Sequence, residues 1–148
     1  MFRRILVAWD GSQVARRALD VAIDLARRYE AELVAASVAY SPPHAETEAD
    51  RRESADAARR YLVETLARVR DRADRVGVPL RQEVIEGDAP ARDLLLYAHE
   101  HGFDLLVTGH HRTGRAGRLL LHGVPEQLVA AAEVPLMIVG ERNGRRRR

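Results

Sequence analysis

Apolar positions along the chain form short runs, separated by longer stretches in which they recur at helical spacing. Ile5-Leu6-Val7-Ala8 is a run of strand length that stops at Trp9-Asp10-Gly11-Ser12. Ser12 has the chemistry of a helix N-cap, because its hydroxyl accepts from an orphan helix N–H. Beyond it Val14, Ala18, Val21, Ala22, Leu25 and Tyr29 recur as one helical face, with Arg16, Arg17, Asp20, Asp24 and Arg27 on the other. Leu33 to Val38 reads as a second strand, closed by Ser41-Pro42-Pro43, where proline forbids a helix. Glu46 to Arg75 reads as one long helix with Tyr61, Leu62, Leu66 and Val69 on its buried face. Leu80 to Ile85 is a third strand. In Gly87-Asp88-Ala89-Pro90 the aspartate is placed to cap a helix that Pro90 begins, with Leu94, Leu95 and Ala98 as its buried stripe. Phe103 to Thr108 is a fourth strand, followed by a glycine-rich loop, a helix to about Ala132, and a fifth strand from Val134 to Val139.

Five strands alternating with four helices predict an α/β fold, a single-domain, doubly wound parallel sheet with helices on both faces. A length of 148 residues suits one such domain. In sheets of this kind ligands bind outside the carboxyl ends of the strands, where the strand order reverses. Those ends carry Trp9-Asp10-Gly11, Tyr40-Ser41 and the stretch from Gly109 to Gly123.

Composition narrows the chemistry. With no cysteine, the chain excludes thiol catalysis, cysteine zinc sites, iron–sulfur clusters and disulfides, and it suits a reducing cytoplasm. No apolar run approaches the ~20 residues that span a bilayer, and the first run is too short for a signal-peptide core. The expectation is a soluble cytoplasmic protein. The net charge of +2 hides an asymmetry: all 24 basic side chains are arginine, and five of them lie in the last seven positions. Residues 1–141 therefore hold 19 arginines against 22 acids, a net −3. The tail reads as a solvated, disordered end, and a nucleic-acid function would rest on it alone.

Gly109-His110-His111-Arg112-Thr113-Gly114-Arg115-Ala116-Gly117-Arg118 is the most informative segment. It follows a strand, precedes a helix, and no acid occurs from Leu105 to Pro125. Free backbone N–H groups at a helix N-terminus make an anion site, and Arg112, Arg115 and Arg118 offer bidentate phosphate contacts. The other reading is a surface loop with solvated arginines. The segment is not a P-loop, since it lacks the Gly-Lys-Ser/Thr ending, and it does not follow the first strand as a dinucleotide fingerprint does. Asp10 is the best-placed carboxylate, suited to a ribose or to the adjacent helix N-terminus. Neither His110, His111 and His122 nor any acid nearby makes a metal set. Ser12 and Ser37 lack a nucleophile elbow. Trp9 suits either packing at the strand end or an adenine platform.

These residues resemble the universal stress proteins. The resemblance is carried by Ile5-Leu6-Val7-Ala8-Trp9-Asp10-Gly11-Ser12 with its Ala-rich helix, by Glu86-Gly87-Asp88-Ala89-Pro90, by Phe103 to Gly109, and by Val134-Pro135-Leu136-Met137-Ile138-Val139. It runs from about Arg3 to Gly140. It implies an adenine-nucleotide alpha-hydrolase-like sheet of strand order 3-2-1-4-5, a family domain over 1–141, and a disordered tail over 142–148. The ATP-binding branch of that family reads Gly, two residues, Gly, nine residues, Gly, then Ser or Thr. Laid on this chain, the pattern keeps Gly109 but meets Arg112, His122 and Gly123 at the other positions. A Gly-x-x-Gly does occur at Gly114 and Gly117, five residues late. A Cβ in place of a glycine hydrogen keeps a backbone from a triphosphate.

By resemblance Ala8, Asp10 and Val38 fall in the adenine and ribose pocket, and Gly109 and Gly123 on the phosphate loop. Trp9, Arg112, Gly114, Arg115 and Val124 complete the candidate cofactor-binding set. Leu136, Met137, Ile138 and Val139 fall where family dimers pair edge to edge. The expectation is a homodimeric regulatory or protective module of the stress response, with ATP binding absent or weak and no metal. The alternative is an ATP or adenine-nucleotide switch in which loop arginines replace the missing glycines. Neither reading makes it a conventional enzyme; at most it is a slow nucleotide hydrolase, with Asp10 as its lone nameable base.

Overall fold

β1 (Arg4–Ala8), α1 (Gln13–Tyr29), β2 (Glu32–Tyr40), α2 (Glu48–Arg75), β3 (Leu80–Gly87), α3 (Pro90–Glu100), β4 (Leu105–His110), α4 (Val124–Ala131) and β5 (Leu136–Gly140) follow one another along the chain. This is a computed structural model that describes residues 1–40, 47–110 and 124–141. The five strands form one sheet in the order β3-β2-β1-β4-β5, with every neighbouring pair parallel. The doubly wound architecture and strand order are those expected.

A central parallel strand is covered on both faces, so β1 is apolar at every inward position. Its residues alternate between two cores. Ile5, Val7 and Trp9 pack with α1 and α2, while Leu6 and Ala8 pack with α3 and α4. Ile5 pairs in register with Leu33 on one side and Leu105 on the other. The order reverses between β1 and β4, and this junction positions the site described below.

The helix starts obey local chemistry. Ser12 caps α1 as expected, its hydroxyl accepting from the Ala15 N–H at 3.2 Å. The buried stripe of α1 is rotated from the expected one: Val14, Ala15, Ala18, Leu19, Ala22, Ile23 and Ala26 are buried, Val21 and Leu25 only partly so, and Tyr29 is exposed. Thr47 caps α2, accepting from the Asp50 N–H at 3.1 Å.

The expected Asp88 cap of α3 is not formed. Ala89 occupies the N-cap position and Pro90 the first turn, so Asp88 stands one residue too early. Instead the Asp93 carboxylate reaches back and accepts from the Ala89 N–H at 2.9 Å, as the acidic arm of a capping box does. Asp88 pairs with Arg92.

At the amino ends of the strands, charge lashes the sheet together. Arg4 donates to Glu32 at 2.8 Å, to the His101 carbonyl, and lies over the Phe103 ring. Arg81 bonds the same Glu32, and the Asp104 carboxylate accepts from the Arg3 and Arg4 N–H groups at 2.8 and 3.2 Å. The Arg4 guanidinium, hydrogen-bonded to it, holds the Glu32 carboxyl below its ordinary value against the opposing effect of burial, and Arg81 adds to the lowering.

Candidate functional site

The carboxyl ends of β1, β2 and β4 converge on a turn formed by residues 9–12. The Trp9 N–H donates to the Ala36 carbonyl at 2.8 Å, which carries the ladder one residue past β1. Trp9 is 2% exposed, packed among the α1 and α2 side chains. Its indole N–H donates to Thr65 Oγ1 at 2.8 Å, and its carbonyl accepts from the buried Ser37 hydroxyl at 2.8 Å. Its ring therefore belongs to the core rather than to an open cleft.

Asp10 follows on the opposite side of the alternation, with Ala8. It is half-buried, and its Oδ1 accepts from the Ser12 N–H at 2.9 Å, the geometry of a small Asx turn. Its Oδ2 has no protein partner among the described residues. Gly11 has φ +78°, and a Cβ there would run into the Tyr61 hydroxyl. The turn therefore requires glycine twice over, for its left-handed backbone and for its contact with α2. The Tyr61 hydroxyl donates to the Asp10 carbonyl at 2.8 Å.

Ala8 (2% exposed), Val124 (3% exposed) and the partly buried Val38 belong to one apolar cluster beside this turn. Ala8 and Val124 are thus core side chains, and Val38 is the partly buried member of the cluster. Gly109 has a packing role of its own. A Cβ at Gly109 would lie 2.7 Å from the Val14 carbonyl oxygen and 2.8 Å from its carbon, so the glycine is required by the close approach of β4 to the first turn of α1. Next to it, His110 Nε2 meets Glu126 Oε1 at 3.0 Å, joining the end of β4 to the first turn of α4.

The structure thus places Ala8, Trp9, Asp10, Val38 and Val124 at one end of the sheet, with the Trp9 ring buried in the α1 and α2 core. Arg112, Gly114, Arg115 and Gly123 lie outside the described residues, as do His111, His122 and the tail over 142–148. Sequence reading missed Tyr61 and Thr65 as partners of this turn. Tyr61 was expected on the buried face of α2; it is 46% exposed, at the edge of the stripe, and its hydroxyl is what contacts the turn. No local signal marks it, since its partner lies 51 positions away. Among the described residues no group of three or more His, Asp or Glu could hold a metal ion, and no helix is long and apolar enough to cross a membrane. A groove between α3 and α4, walled by Leu95, Leu96, Ala131 and Val134, lies apart from these strand ends.

The model of the universal stress protein family matches residues 1–140. The chain belongs to the universal stress protein family. It is 32% identical over 148 residues to a universal stress protein of Thermus aquaticus, covering 94% of this chain and 99% of that one. It is 29% identical over 143 residues to a universal stress protein of Methanocaldococcus jannaschii, covering 94% of this chain and 82% of the relative. Among solved structures, a universal stress protein in complex with cAMP superposes with a TM-score of 0.69 at 29% identity, covering 93% of this chain and 97% of the other.

Proposed function

We propose that this universal stress protein is a non-enzymatic, homodimeric regulatory module of the stress response, whose strand-end site takes an adenosine monophosphate in preference to ATP. The observation that carries the reading is Asp10. One carboxylate oxygen is pinned by the Ser12 N–H, the other has no protein partner among the described residues, and both sit where the sheet order reverses. A carboxylate held this way is a ready acceptor for the paired hydroxyls of a ribose. Val38, only partly buried at the edge of the apolar cluster, is the neutral side chain offered to the base. The related structure that holds cAMP supports a monophosphate as the ligand class. The loop from Gly109 supports the discrimination, because Arg112, His122 and Gly123 stand where the ATP-binding branch carries glycine, glycine and a hydroxyl.

For assembly, the reading rests on β5. It is an edge strand with Ile138 40% exposed, and an open apolar edge is protected by pairing with a second copy. In this reading residues 1–141 act as the family domain, and the arginine-rich segment 142–148 follows it in sequence.

Calorimetric titration of nucleotide-stripped protein with AMP, cAMP and magnesium–ATP tests the proposal, alongside light scattering for the dimer. The expected result is saturable AMP or cAMP binding, at least about tenfold tighter than ATP, and about tenfold weaker in Asp10→Ala, a loss of ~1.4 kcal/mol. ATP binding tighter than AMP, or AMP affinity unmoved by Asp10→Ala, overturns it.

A further inference from the structure

We propose that Tyr61 and Thr65 of α2 are positioning residues for Asp10, forming a latch that couples ligand occupancy of the strand-end site to this helix. The proposal rests on Asp10 being the ligand-binding carboxylate. Two residues one helical turn apart grip the two sides of one short backbone stretch. Thr65 Oγ1 accepts from the Trp9 indole N–H at 2.8 Å and donates to the Tyr61 carbonyl at 2.7 Å. Tyr61 in turn donates its hydroxyl to the Asp10 carbonyl at 2.8 Å. The peptide between Asp10 and Gly11 is thus held by α2 through its carbonyl, while the Asp10 carboxylate is held through Ser12.

What the tyrosine contributes is its hydroxyl. The buried stripe of α2 is Ala55, Leu62, Leu66, Val69 and Ala73, and Tyr61 stands beside it, 46% exposed. A phenylalanine would cover the same surface, so core packing alone does not explain the phenol. Its oxygen rests against Gly11, whose missing Cβ leaves room for it. Without the hydroxyl the 10–11 peptide gains freedom to rotate about the flexible Gly11, and the carboxylate attached to it loses its fixed direction. A ligand on Asp10 then has to order the turn itself, and affinity falls. The reciprocal follows from linkage: a ligand that fixes the turn tightens the contact with α2. Trp9, the sole tryptophan, sits within the latch and reports on it.

Tyr61→Phe tests this with two readouts: AMP titration and amide exchange at Ser12, with Trp9 emission followed in the same samples. The expected result is AMP affinity about fivefold lower, as losing one hydrogen bond implies. Ser12 exchange rises about fivefold or more, while the melting temperature moves by less than about 2 °C. Unchanged AMP affinity in the variant, or a melting temperature that falls while Ser12 exchange follows only global unfolding, overturns the latch. Should wild-type protein bind no AMP, the nucleotide reading fails. The latch is then decided by exchange alone: faster at Ser12 in Tyr61→Phe supports it, and unchanged exchange refutes it.

Discussion

Gly109→Ala is the substitution for which sterics and chain entropy make opposite predictions. In the unfolded chain, alanine has less freedom to lose, which by itself favours folding by about 0.4–1 kcal/mol. In the folded chain its Cβ would stand 2.7 Å from the Val14 carbonyl oxygen, 2.8 Å from the carbonyl carbon and 3.0 Å from Val14 Cγ1. Two of those atoms are backbone in the first turn of α1, so no rotamer change relieves the contact. Either α1 or β4 must move, and strain of this kind costs about 1–3 kcal/mol, occasionally more. The net expectation is a loss of about 2 kcal/mol, or ~4–8 °C in melting temperature for a chain of this length. Urea unfolding followed by circular dichroism, without nucleotide, reads it as a lower midpoint with an unchanged slope. Val14→Ala in the same chain removes only the Cγ1 contact and rescues little. Gly140, whose Cβ would meet nothing within 4 Å, is the control; its alanine variant stays within about 0.5 kcal/mol of wild type. If Gly109→Ala is as stable as wild type, the packing argument is wrong and the glycine serves a ligand alone.

Asp93→Ala removes the acceptor of the Ala89 N–H at 2.9 Å, so thermal melts should show a loss of about 1 kcal/mol. Asp88→Ala, which breaks only an exposed pair with Arg92, should cost less than about 0.5 kcal/mol; equal losses would contradict the reassigned cap. Glu32 has a carboxyl pulled down first by its hydrogen bond to Arg4, so its stabilisation is present above the ordinary glutamate value and disappears as pH falls through the lowered one. Its side chain is 32% exposed, and solvent screening limits the effect to about 1 kcal/mol or less. The stability gap between wild type and Glu32→Gln should therefore be constant from about pH 7 to 5 and shrink as pH falls below the ordinary glutamate value of about 4.3. A gap that does not shrink in acid refutes the assignment.

The order of elements was legible in the sequence because runs such as Ile5 to Ala8 and caps such as Ser12 are local signals. The faces of the elements were less so. A central parallel strand is apolar on both sides, so nothing in Ile5-Leu6-Val7-Ala8-Trp9 says which core each residue enters. The structure resolves this by alternation, and that is why Trp9 and Asp10, adjacent in sequence, end in different places. Asp10 was readable as a strand-end carboxylate from its place after an apolar run. Tyr61 was not, because its role depends on a helix crossing the turn 51 residues away. Gly109 shows the same limit: the family pattern suggests a phosphate, and only the distance to Val14 reveals a helix. Asp88 was the expected cap, and it fails by a single residue of offset from Pro90, leaving the Ala89 N–H to Asp93.

The charged lashing at the amino ends of β1, β2 and β4 has an evolutionary consequence. Arg4, Glu32, Arg81 and Asp104 tie neighbouring strands together far from the Asp10 turn. Substitutions in the loops at the other end therefore leave these ties intact. A lineage built on this sheet is free to redraw its binding loops by drift, trying one ligand after another without first having to reinvent the scaffold.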